Sequence, residues 1–84
     1  MPQEQCEAAK ADLERAKQLK NRRQTAWGEA KAALTELRAA QPPDPKAIAA
    51  EEIAVESAHN QLLAAKEEVR ECRERVEAFC SRNP

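Results

Sequence analysis

The 84-residue chain holds one histidine and three cysteines, so acid–base or nucleophilic chemistry would have to be built around His59, Cys6, Cys72 and Cys80. A thiol nucleophile needs a base within hydrogen-bond reach. The thiol nearest to His59 in sequence is Cys72, more than three helical turns further on, so a helix keeps the two apart. Glu56 and His59 have the Glu-x-x-His spacing with which di-iron bundles place two ligands on one inward face. The carboxylates needed to complete such a site would have to come from layers occupied by Trp27 and Ala30. The adjacent acids Glu51-Glu52 and Glu67-Glu68 read as solvated helix surface. A single glycine, Gly28, leaves nothing from which to build a glycine-rich phosphate loop. The cysteines show neither a CxxC pair nor Cys/His metal spacing. The expectation is therefore no catalytic residue, no metal and no cofactor.

The strongest local chemical signal is basic. Arg15, Lys17, Lys20, Arg22 and Arg23 follow one another with no acid between them, whereas residues 51–56 hold three glutamates. Such a block can grip phosphates, and a nucleic-acid partner, RNA in particular, is one reading of it. Aromatic residues for base stacking are missing from the block. The net charge of the whole chain is −1, which favours neither nucleic acid nor acidic partners at long range.

The elements that would carry these residues are set by Gln41-Pro42-Pro43-Asp44-Pro45-Lys46. Three prolines in four residues forbid a continuous helix near the middle of the chain. On either side the composition is that of a helix former, with 18 alanines, 35% charged residues, one Trp, one Phe and no Tyr. The first helix is expected over about 4–40, the turn over 41–45 and the second helix over about 46–82, with Asp44 as N-cap, Pro45 as first helical residue and Arg82 near the C-terminus. The whole of 1–84 is then a single helical-hairpin domain.

Alternating steps of three and four residues score each segment against a heptad. From Cys6 they reach Ala9, Leu13, Ala16, Lys20, Arg23, Trp27, Ala30, Leu34 and Leu37, apolar except at Lys20 and Arg23. From Ile48 they reach Glu51, Val55, Ala58, Leu62, Ala65, Val69, Cys72, Val76 and Phe79, apolar except at Glu51. Folded antiparallel about the proline turn, the two series pair layer by layer so that facing residue numbers total 85. Leu37 meets Ile48, Trp27 meets Ala58, Leu13 meets Cys72 and Cys6 meets Phe79. Each register comes from its own helix, so their agreement argues for an all-α fold of two long helices in an antiparallel coiled-coil hairpin. Lys20 and Arg23 inside the seam would discourage slipped pairings at some expense of stability.

The same register brings Cys6 close to Cys80 at the open end. A bridge there would close nearly the whole chain, worth roughly 4 kcal/mol in the loop-entropy model. In a cytoplasmic protein the thiols are expected to stay reduced. Cytoplasm is the expected location, since the start Met1–Glu7 has no basic segment followed by an apolar run and no window approaches a membrane span of about 18 apolar residues.

Outside the seam, Leu19, Ala26, Ala33 and Ala40 recur every seven residues, Ala47 and Ala54 flank the seam, and Ile53 and Leu63 point further round. An alanine stripe permits close helix approach, so a second copy can pair with the hairpin to make a four-helix bundle. In plan the chain resembles unrelated small helical hairpins: dimeric RNA binders that control plasmid copy number, secretion-system co-chaperones, and phage-encoded inhibitors of host proteins. That likeness is one of architecture and carries over no residue. The functional expectation is a non-enzymatic protein-protein interaction module, an inhibitor, adaptor or co-chaperone that blocks a partner protein through Leu19, Arg22, Arg23, Ile53 and Leu63. It is expected to form a homodimer and to have no membrane partner. The alternative is RNA binding through the Arg15–Arg23 block.

Overall fold

A computed structural model of the chain describes residues 2–81. It contains two helices, α1 over Pro2–Ala39 and α2 over Pro45–Cys80, packed against each other along their lengths. The helices begin and end close to the expected limits. α2 ends at Cys80 with Ser81 as its C-cap, and Arg82, where the second helix is expected to end, lies outside the described residues.

The turn forms for local reasons. Pro42 and Pro43 withhold backbone donors, and α1 closes with a bond from the Ala40 amide to the Leu37 carbonyl at 3.3 Å. Asp44 then sits in extended backbone, and its side chain accepts from the amides of Lys46 at 3.1 Å and Ala47 at 3.2 Å, with Pro45 in the first helical turn. Two of the amides that every helix start leaves open are thus satisfied. Glu4 lies in the first turn of α1 and Arg38 in its last, each matched to the helix dipole. The Gln41–Pro42 peptide bond is cis.

All twenty seam positions read from the sequence are buried or half-buried. The most enclosed residues, Ala9, Ala16, Leu34, Leu62, Ala65, Val69 and Cys72, belong without exception to that set. Ala16, Val69 and Cys72 form one cluster against Leu13, the facing pairs that the antiparallel register demands. Lys20 and Arg23 are half-buried, and Arg23 crosses to α2, where its Nη1 donates to Gln61 Oε1 at 2.8 Å. At the turn-proximal end an ion pair of 2.9 Å joins Arg38 to Glu52. The assembly is a rod of 67 × 14 × 13 Å. Leu62 and Cys72 are its only side chains of any size that are wholly enclosed among the described residues.

Candidate interaction surface

A two-helix seam leaves four surfaces: two flanking grooves and the outward ridge of each helix. On one flank, Trp27, Lys31, Leu34, Arg38, Glu52, Val55, Glu56 and His59 line a shallow open groove. The His59 ring stacks on Trp27, with centroids 4.7 Å apart and planes inclined by 28°. Lys31 Nζ lies 3.5 Å from the centroid of the Trp27 ring. Such a cation–π contact contributes about 0.5–1 kcal/mol at an exposed site. Trp27, expected in the layer of Ala58, is thus covered by the next residue along α2. Glu56 shares this groove with His59, yet no group of three His, Cys, Asp or Glu side chains suited to a metal occurs among the described residues.

On the opposite flank the groove is lined by Asp12, Arg15, Ala16, Leu19, Glu68, Cys72 and Arg75. Arg75 Nη2 approaches the buried Cys72 sulfur at 3.1 Å.

The third surface is the outer ridge of α2. Ile53, Glu56, Asn60, Leu63, Glu67, Arg70 and Glu74 follow at steps of three and four residues and so share one side of the helix. Ile53 is 70% exposed and Leu63 49%, the two large apolar side chains left in water among the described residues. They stand ten residues, or about 15 Å, apart. Further along the same side, about 10 Å beyond Leu63, Arg70 Nε donates to Glu67 Oε1 at 3.0 Å and Nη1 to Glu74 Oε2 at 2.6 Å. The hydrogen bond from Arg70 is the main cause holding the Glu67 carboxyl below its ordinary range, with desolvation opposing it and the Arg70 charge adding to it. The same bond, then the charges of Glu67 and Glu74, push the Arg70 guanidinium up.

The five residues expected to meet a partner therefore fall in different places. Ile53 and Leu63 share the α2 ridge. Leu19 and Arg22 belong to α1, Leu19 half-buried and Arg22 exposed, and Arg23 is held across the seam by Gln61. The basic block is likewise not a face. At about 100° per residue, Arg15, Lys17, Lys20, Arg22 and Arg23 spread around α1. Arg15 pairs with Asp12, and Lys17 lies 3.7 Å from Glu14.

Basic residues that do share a flank recur at one heptad position: Lys10, Lys17, Lys31 and Arg38 on α1, interrupted by Gln24, and Lys66 and Arg73 continuing the heptad position of His59 on α2. Counting cations by contiguity rather than by heptad concealed this stripe.

At the open end Cys6 and Cys80 are joined by a disulfide, with Cα atoms 4.9 Å apart. Reduced thiols were the expectation, and the structure departs from it because the last seam layer brings the two backbones together. Across the described residues no helix is long and apolar enough to cross a membrane.

Compared with protein-family models, curated proteins and solved structures, the chain finds no match.

Proposed function

We propose that the protein is a non-enzymatic protein-binding module, an inhibitor or adaptor that lays the outer ridge of α2 into an apolar groove of another protein and blocks it. The observation that carries this reading is the exposure of Ile53 and Leu63 on one side of α2, with Arg70, already ordered by Glu67 and Glu74, about 10 Å beyond Leu63. Two aliphatic anchors on one helix side, with charges fixed next to them, are what helix-in-groove recognition uses for affinity and for orientation. Binding rather than catalysis also agrees with where the reactive side chains lie: Cys72 is buried and His59 is stacked on Trp27. A photo-crosslinking residue at 53 or 63, in the cells that make the protein, is expected to trap one discrete partner. Leu63→Asp should abolish the adduct formed from position 53. Adducts of the chain with itself alone, or none, would contradict the reading.

A second reading, RNA binding, is supported by the stripe Lys10, Lys17, Lys31, Arg38, Lys66 and Arg73 around the Trp27–His59 stack. It requires affinity that falls steeply with salt and drops with Lys31→Glu and Lys66→Glu. Affinity indifferent to salt excludes it.

The cytoplasmic setting and the Cys6–Cys80 bridge pull in opposite directions, because cytoplasmic thiols are kept reduced. In our reading a cytoplasmic hairpin works unbridged and an exported one bridged. Thiol alkylation in intact cells decides which applies.

A further inference from the structure

Along the outer side of α1, Arg15, Arg22, Glu29 and Glu36 recur every seven residues, two cations followed by two anions on one stripe. All four are exposed. Arg15 has an ion pair with Asp12, whereas Arg22, Glu29 and Glu36 form no ion pair with another described residue. The stripe borders Leu19, Ala26 and Ala33, and Arg15 and Leu19 line one groove together.

The order plus, plus, minus, minus matches itself when reversed end for end. A two-fold axis crossing α1 between Thr25 and Ala26 sets Arg22 against Glu29 of a second copy and Arg15 against its Glu36, each pair occurring twice. It also brings Leu19 within one residue of the level of Ala33 of the second copy and sets the two Ala26 residues on either side of the axis, where small side chains allow close approach.

We propose that a second copy of this chain docks on that flank, antiparallel, with the two proline turns at opposite ends of a four-helix bundle. The inference rests on reading the chain as an interaction module, and it assigns Leu19 and Arg22 to self-association rather than to the partner met by Ile53 and Leu63. The arrangement with both turns at one end gains nothing comparable. It lays α1 on α2 of the second copy, with Arg22, Glu29 and Glu36 at the levels of Ala64, Ser57 and Ala50, so that of the four charges Arg15 alone meets an opposite one, Glu71. On α2 the docking flank carries Ala54, Ser57, Gln61, Ala64, Glu68 and Glu71, and the antiparallel axis sends the two acids of each copy to opposite ends, so they do not face one another. From Arg15 to Glu36 the face is about 32 Å long and about 20 Å across two helices. Two such faces bury on the order of 1,200 Å², the lower end of what specific stable interfaces use.

Sedimentation equilibrium on the bridged chain, with helicity checked by circular dichroism, tests this. A reversible dimer of the 9.4 kDa chain is expected. Arg22→Glu and Glu29→Arg should each weaken it at least about tenfold, since each replaces two attractions by two repulsions. Arg22→Glu combined with Glu29→Arg restores the two attractions across the axis and should return the Kd to within about threefold of the parent. Ala26→Cys should give a disulfide-linked dimer under mild oxidant. A chain that stays monomeric up to about 1 mM, a double variant as weak as the singles, or an Ala26→Cys chain that does not cross-link would overturn the proposal. Adducts from positions 53 and 63 are scored separately, so the proposal for α2 can survive any of these outcomes.

Discussion

At the scale of single residues, the fold rests on a narrow seam in which neighbours have opposite fates. Leu62 is fully enclosed and Leu63 is half in water. Gly28 shows how little some positions ask of their residue. A Cβ built there meets no atom within 4 Å, and the backbone has no positive φ. Glycine's helix penalty is therefore unrelieved, and Gly28→Ala should stabilise by about 0.5–1 kcal/mol, raising Tm by roughly 4 °C. A lower Tm would mean that the site is closed by something the isolated hairpin does not contain. Residue-scale chemistry was only partly legible in the sequence. The register places His59 beside Ala58 and so near the Trp27 layer, but not the stack itself, because the pairing rule names the residue opposite while an aromatic ring reaches past it to the next position.

At the scale of elements, legibility was high. Proline chemistry fixed the turn, Asp44 fixed the start of α2, and steps of three and four residues marked all twenty seam positions, because burial on a helix follows its period and little else. The basic block misled for the same reason. Contiguous residues on a helix diverge by about 100° each, so Arg15 to Arg23 form a sequence cluster without forming a surface. The cap gives an element-scale prediction. Asp44→Ala should cost about 1 kcal/mol, and hydrogen exchange should speed up at Lys46 and Ala47, whose amides lose their acceptor. Uniform loss of protection along the chain, with no excess at Lys46 and Ala47, would argue instead that the cap acts on global stability rather than on the first turn of α2.

At the scale of the whole molecule, shape governs stability. The radius of gyration is 18.9 Å, against about 12 Å for a compact domain of this length. Little of the chain is far from water, and its stability depends on what ties the open end. The Cys6–Cys80 bridge spans 74 positions of sequence. Replacing both cysteines by serine should lower stability by roughly 4 kcal/mol in the loop-entropy model, read as a fall in the urea midpoint that reductant reproduces in the parent and not in the variant. An unchanged midpoint would show that the seam alone holds the ends.

The division of α2 into a seam side and a free ridge is the claim on which the fold and the proposed binding surface both depend. The most direct test compares urea unfolding of Leu62→Asp with that of Leu63→Asp. The account predicts collapse of the hairpin for Leu62→Asp, and a midpoint and helicity close to the parent's for Leu63→Asp. Comparable loss in both variants would contradict it, because the ridge would then be part of the core.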